Sequence, residues 1–286
     1  TILTQGCPFR CSFCVIWRAT LGMYRKRPID EIVADLKSLP EDYIYLGDDN
    51  TFADAKWADE LADAIKASGI KKELSSYCRA DHICKHPDLL RKWHDIGLRY
   101  LVVGVEAVST EQLQRFNKKT DEGQNVESLR ILKDIGIFAI PHMIISPEMS
   151  VQDFEDISRF IEENEFEYPV VIPLTPLPGT NDYATYKSQG RIVTDDLSFY
   201  TFMYNVVQPA QMSLREFDRQ YDRVLLRAWS WKRYLRGKCG QTTFLAFLKW
   251  WTFIRVLMLQ IRWRRRALYR SAAERDPVAC LDASTG

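Results

Sequence analysis

The chain has 286 residues, 46% hydrophobic and 27% charged, which suits one large domain or a domain with an appendage and excludes wholesale disorder. Its formal net charge of +1 conceals two opposite parts: residues 1–223 carry 26 Lys and Arg against 35 Asp and Glu, whereas residues 224–270 carry 12 Lys and Arg and no acid. Three of the seven cysteines crowd into eight residues, a pattern of metal-binding thiols in a reducing compartment and not of a secreted disulfide framework.

The sequence starts at Thr1 in what already reads as a strand, so it is expected to be a fragment of a longer protein, cut just before a barrel. Short apolar runs then alternate with helical patterns about six times before residue 180. The predicted strands are Thr1–Gln5, Tyr43–Gly47, Leu74–Arg79, Tyr100–Glu106, Phe138–Ile145 and Val170–Leu174, several of them continuous apolar runs that suit a parallel sheet buried on both faces. Between them, Ile29, Ile32, Val33, Leu36 and Leu39 share one helical face behind Pro28. Trp57, Ala58, Leu61, Ala62 and Ile65 share another, stopped by Gly69. Val126, Leu129, Leu132 and Ile135 form a third stripe, ended by Gly136, and Val151, Phe154, Ile157 and Ile161 a fourth, behind a Ser150 cap.

Units of about 30 residues that alternate strand and helix define an α/β fold. Six units are too few to close an eight-fold barrel, so the expectation is a partial (βα)6 TIM-like barrel, with its site at the C-terminal strand ends. After Pro178-Gly179-Thr180 the pattern changes. The expected division is a barrel over residues 1–180, a helical extension over 181–223, a basic Trp-rich helical tail over 224–270 and a flexible C-terminus over 271–286.

The segment Cys7-Pro8-Phe9-Arg10-Cys11-Ser12-Phe13-Cys14 follows the first strand. Three thiolates on one short loop can hold three irons of a four-iron cluster and leave the fourth open to the amino and carboxylate groups of S-adenosylmethionine (SAM). The competing reading is zinc, which wants four ligands, usually as two separated pairs; Cys78, Cys84, His82 and His86 lie some 70 residues away. The cysteine spacing, with an aromatic residue before Cys14, resembles the signature of the radical SAM superfamily.

That resemblance extends to other strand ends. Gly47-Asp48-Asp49-Asn50 stands where the family binds the methionyl amino group, though its commoner form has two glycines and a Glu. The resemblance implies that Asp48 and Asp49 meet the SAM ammonium, that Arg79 faces its carboxylate or sulfonium side, and that Glu106 lies near the ribose and the cluster. As alternatives, Asp48–Asn50 could be a helix cap, and Arg79 and Glu106 structural ion partners; a Glu on an apolar strand is costly unless paired. Asn117-Lys118-Lys119-Thr120 matches a family segment without a derivable role, and Ser146 replaces the glycine that packs against adenine. The acidic variant and Thr175-Pro176-Leu177-Pro178-Gly179 are similar to the cobalamin-dependent branch. Thr4-Gln5-Gly6-Cys7-Pro8 with Asp48-Asp49-Asn50-Thr51-Phe52 most resembles hopanoid C-3 methylase-like proteins. Members of that branch carry a cobalamin-binding domain before the barrel, for which this sequence has no room.

Five of the eight tryptophans, Trp229, Trp231, Trp250, Trp251 and Trp263, lie in the basic tail. Lys249 and Arg255 interrupt its apolar run Thr243–Ile261, which argues against a comfortable spanning helix and for an interfacial one. A helical cap over the barrel and an RNA-binding stripe are the alternatives. The resemblance thus implies a 4Fe–4S cluster, SAM and cobalamin as cofactors, and a radical enzyme that methylates a hydrophobic, lipid-like substrate. Its electron donor would be flavodoxin or ferredoxin, and it would sit in the cytoplasm at the inner face of the membrane. The alternative enzymes are an RNA-modifying methylthiotransferase and a radical SAM cyclase.

Overall fold

The computed structural model describes residues 1–164, 166, 168–237, 239 and 242–275. Two compact units divide the chain, Thr1–His142 and Met143–Gly286. In the first, β1 (Thr4–Gln5) pairs antiparallel with β2 (Arg25–Lys26) across α1 (Ile16–Ala19). Next come α2 (Ile29–Ser38), β3 (Tyr43–Tyr45), α3 (Ala55–Ala67), β4 (Glu73–Arg79), α4 (Ala80–Lys85), α5 (Pro87–Asp95), β5 (Leu98–Glu106), α6 (Thr110–Arg115), α7 (Glu122–Ile135) and β6 (Phe138–Ile145), within which the second unit begins. The second unit adds α8 (Val151–Glu163), β7 (Val170–Pro173), α9 (Asn181–Ser188), α10 (Leu214–Ala228), α11 (Trp231–Leu235) and α12 (Phe244–Arg275).

The sheet order β3-β4-β5-β6-β7 follows the sequence, and β3, β4 and β5 pair parallel, as βα units in an open half-barrel require. The α/β partial barrel is thus the observed class, with five strands in the sheet instead of six. Beside β3, Thr1 N donates to the Tyr45 carbonyl, and Gly47 N, just past the strand, donates to the Thr1 carbonyl. The next amides, of Leu3 and Thr4, are spent on the Asp48 carboxylate, so no ladder continues.

Helix ends in the first unit follow the local chemistry. Asp54 caps α3 by accepting from Trp57 N, and Asp121 and Gln124 form a reciprocal capping box at α7. Gly136 ends α7 in the left-handed region, at φ 91°. Ile32, Leu36, Trp57, Leu61, Ile65, Leu129 and Leu132 are buried as their spacing predicts, while Val126 is exposed and Ile131 takes an inward place.

In the second unit Ser150 caps α8, with Asp153 completing the box; Phe154, Ile157 and Ile161 are buried, and Val151 stays exposed in the first turn. Phe154 meets Phe217 of α10 edge to face at 5.2 Å, and the Tyr221 hydroxyl donates to the Val171 carbonyl at 3.0 Å. Helix α10 runs through residue 224, so the change in charge there is no structural boundary. Helix α12 buries Phe247, Met258, Ile261, Arg265 and Leu268 and exposes Leu245, Leu248, Phe253, Val256, Leu259 and Trp263. By length and composition its stretch Phe244–Arg270 would suffice to cross a bilayer. The helix continues through 271–275; the rest of the segment expected to be flexible, 276–286, lies outside the described residues.

Candidate active site

The cysteine loop leaves β1 through Gly6, whose φ is +89°; a Cβ there would run into the Met23 carbonyl oxygen. Gly6 N donates to Asp49 Oδ2 at 2.7 Å, tying the loop entrance to the end of β3. Farther along, Ser12 N donates to the Phe116 carbonyl at 3.0 Å and Asn117 Nδ2 to the Arg10 carbonyl at 2.8 Å. Trp17 Nε1 holds the Cys11 carbonyl at 2.9 Å, Phe13 packs edge-on against Phe116, and Phe9 lies 3.8 Å from the Arg79 guanidinium. The loop is therefore fixed by its neighbours at both ends and in the middle.

Cys11 is buried, and Cys7 and Cys14 are partly so. Burial raises the Cys11 thiol and pushes Cys14 up to about 11, while Lys118 and Arg79 oppose the rise at Cys11. Iron held here would displace these protons, and the two cations would favour the resulting thiolates. Among the described residues no three His, Cys, Asp or Glu side chains converge to hold one metal ion. A four-iron cluster asks for the opposite, thiolates spread so that each meets its own iron. Three free thiols on one braced loop, flanked by cations, fit that group.

Around the loop the acidic strand end divides its labour. Asp48 is 3% exposed and fully engaged: Oδ1 accepts from Leu3 N at 2.6 Å and Thr4 N at 3.0 Å, and Oδ2 from the Thr51 hydroxyl at 2.7 Å. This carboxylate braces the chain, where the sequence suggests a SAM contact. Asp49 is exposed and accepts from Gly6 with one oxygen. Asn50 is buried with its Nδ2 3.8 Å from Cys7 Sγ, and its Oδ1 has no partner. An orphaned buried acceptor beside the Cys7 thiol suits an ammonium donor. In the sequence Asn50 carries no signal beyond its place after the acidic pair.

Arg79 is 8% exposed; Nε and Nη2 clasp both Asp81 oxygens at 2.9 and 3.0 Å, and Nη1 stands 3.8 Å from Cys11 Sγ. It is both an ion partner and a cation beside the thiol. At the end of β5 the Glu106 carboxylate meets Lys118 Nζ at 2.7 Å, and the same ammonium donates to the Gly104 carbonyl at 2.6 Å. A Cβ at Gly104 would lie 2.5 Å from Glu106 Oε1 and 2.7 Å from Lys118 Nζ, so a side chain there would displace the pair. The 117–118 segment, opaque in the sequence, thus braces the loop through Asn117 and neutralises Glu106 through Lys118. Ser146 belongs to the second unit, where its hydroxyl accepts from Glu148 N at 3.3 Å in the turn after β6.

Period-two alternation puts Tyr43 and Tyr45, Ser75 and Tyr77, and Tyr100 on one face of the sheet, with Arg79, Gly104 and Glu106 farther along the same rows. Aromatic contacts run along it: Tyr43 to Tyr100 at 6.2 Å, Tyr100 to Phe138 at 5.3 Å, Tyr45 to Tyr77 and Tyr77 to His142 at 6.0 Å. Burial lowers the His142 pKa.

A half-barrel with three cysteines on the loop before its first sheet strand and polar groups at the strand ends defines a class of cluster-dependent enzymes. Residues 1–161 match the family model of the radical SAM superfamily, and the chain belongs to that superfamily, whose enzymes use a 4Fe–4S cluster and SAM. It is similar to the hopanoid C-3 methylase of Methylococcus capsulatus, with 30% identity over 217 residues, 75% of this chain and 41% of the relative. It is also similar to the anaerobic magnesium-protoporphyrin IX monomethyl ester cyclase of Cereibacter sphaeroides, with 24% identity over 82% of this chain and 41% of that protein. Among solved structures, the cobalamin-dependent S-adenosylmethionine radical enzyme OxsB, with aqua-cobalamin and SAM bound, shares the fold at a TM-score of 0.60 and 16% identity, over 79% of this chain and 40% of that one. The chain spans less than half the length of each of these proteins.

Proposed function

We propose that this chain is the catalytic domain of a cobalamin-dependent methylase that acts on a hydrophobic, hopanoid-like substrate. The observation that carries the reading is the braced three-cysteine loop at the head of an aromatic sheet face. Similarity to a hopanoid methylase and to a cobalamin-dependent SAM radical enzyme supports the reaction class. Cobalamin would be held mainly by a domain outside this sequence, and a flavodoxin- or ferredoxin-like protein would supply electrons.

When bound, the cluster and SAM supply one-electron cleavage of the sulfonium and a 5′-deoxyadenosyl radical able to take hydrogen from an unactivated carbon. Cys7, Cys11 and Cys14 each hold one iron. Asn50 Oδ1 and the free edge of Asp49 accept from the SAM ammonium, while Asp48 keeps their strand end in place. Arg79 and Lys118 balance thiolate charge, and Glu106 addresses the ribose; the Ser146 turn offers backbone to the adenine. Tyr45, Tyr77, Tyr100 and His142 give the apolar substrate a wall that excludes water. Peripheral contact with the inner face of a membrane, through the exposed apolar side of α12, would deliver such a substrate.

The test is anaerobic reconstitution followed by iron, sulfide and 5′-deoxyadenosine assays. Cys7→Ala, Cys11→Ala and Cys14→Ala should each lose cluster and SAM cleavage; full retention in all three sinks the reading. Asn50→Ala should bind SAM at least tenfold more weakly with cluster content unchanged, whereas Asp48→Asn should mainly lower stability.

A further inference from the structure

Helices α10 and α12 flank an open pocket of about 720 Å³ lined by six arginines, Arg215, Arg219, Arg262, Arg265, Arg266 and Arg270. Asp218 and Asp222 are its acidic lining; both Asp222 oxygens are engaged, and of Asp218 only Oδ2 is, its Oδ1 having no partner. Asp222 accepts from Arg262 and from Arg265 at 2.8 Å, and Asp218 Oδ2 accepts from the Tyr269 hydroxyl at 2.7 Å. Cations exceed anions well beyond what these pairs consume. Arg215 stacks over the Tyr269 ring at 5.1 Å, and among the described residues Arg266 and Arg270 have no ion pair.

Arg265 supplies an independent sign of a ligand. It is 2% exposed, and its Nη2 has no hydrogen-bond partner. A buried guanidinium N–H left unpaired is costly, and an anion with several oxygens relieves it. Guanidinium forks match phosphate oxygens in pairs. On the same helix, just before these arginines, Phe253, Val256, Leu259 and Trp263 are exposed. An apolar stretch that ends in an arginine cluster is how a helix lies in a bilayer interface, with rings among acyl chains and cations at headgroup level.

We propose that this pocket is a phosphate site that seats the headgroup of an anionic phospholipid. The proposal rests on the peripheral membrane reading of α12 and sharpens it from a diffuse attraction to a defined site. The site is built from residues of α10 and α12, none of them on the cysteine loop.

The experiment is co-sedimentation of the reconstituted full chain with phosphatidylcholine vesicles, with and without phosphatidylglycerol. The combined variant Arg215→Gln, Arg266→Gln, Arg270→Gln changes exposed side chains only and should keep its thermal unfolding and iron content. It should lose about 100-fold in partitioning onto anionic vesicles, roughly fivefold for each arginine. Arg266→Lys with Arg270→Lys keeps the charge and removes the forks, and should still lose about tenfold; undiminished binding by this pair would leave only a diffuse field and overturn the site. Phe253→Gln with Leu259→Gln tests the membrane reading by itself, with loss expected on both vesicle types. If that variant loses binding and the arginine variants do not, the site falls while the membrane reading stands. If the wild type ignores vesicles altogether, both fall, whether it is instead stabilised by millimolar inorganic phosphate or binds RNA with a steep salt dependence.

Discussion

Lys118 holds three partners in one place: it neutralises Glu106, ties down the Gly104 carbonyl and lends its charge to Cys11. Lys118→Met would leave a nearly buried carboxylate unpaired, a change that costs about 3–5 kcal/mol. We expect a loss of that size in urea unfolding, with part of it restored by adding Glu106→Gln; a loss near zero would contradict the pairing. His142 makes a second prediction at this scale. Burial is the first cause of its lowered pKa, so the folded state favours the neutral ring. That contribution is complete above the unfolded value of about 6.5 and is lost as pH falls through the lowered folded value. Wild-type stability should therefore drop on acidification through this window, and His142→Gln should flatten that slope in urea titrations at stepped pH.

Helix ends are where local chemistry decides an element, and α8 is the clearest instance. Ser150→Ala removes the acceptor of Asp153 N and one half of the box, which should cost about 1 kcal/mol, read as a shift in the urea midpoint with unchanged slope. Elements with strong periodicity and caps, such as α3, α7 and α8, were legible in the sequence because side-chain spacing and capping act within a few residues. Val151 misled because a first-turn position lies at the rim of an apolar stripe, and Val126 because its neighbour Asn125 takes the inward place in α7. The Arg25–Lys26 strand has no signal at all, since two exposed residues carry no alternation. The cysteine loop was legible because ligation imposes residue type and spacing together. The Glu106–Lys118 pair and the orphan on Asn50 were not, since each depends on a meeting of residues distant in sequence or on what a neighbour leaves unbonded.

Charge changes sign near residue 224, inside the second unit, so the first unit and the basic helical end should respond to different ligands. Iron ligation would join thiols that burial otherwise keeps protonated, and its free energy would then add to folding of the first unit. Stripping iron with a chelator should raise amide hydrogen exchange over Gly6–Trp17 and Phe116–Lys118, while α8 and α10 in the second unit hold their protection. Uniform loosening across the chain would mean that the cluster supports more than the loop that binds it.

Glu106 adopts φ 63°, a left-handed conformation that costs a non-glycine residue about 1–3 kcal/mol. A chain evolving for foldedness alone has an easy exit here, glycine at 106 and a neutral residue at 118. Libraries randomised at both positions and sorted only for protease resistance should drift to that pair, and libraries sorted for SAM cleavage should return Glu and Lys. Return of glycine at 106 from both libraries would mean that Glu106 serves no step of turnover.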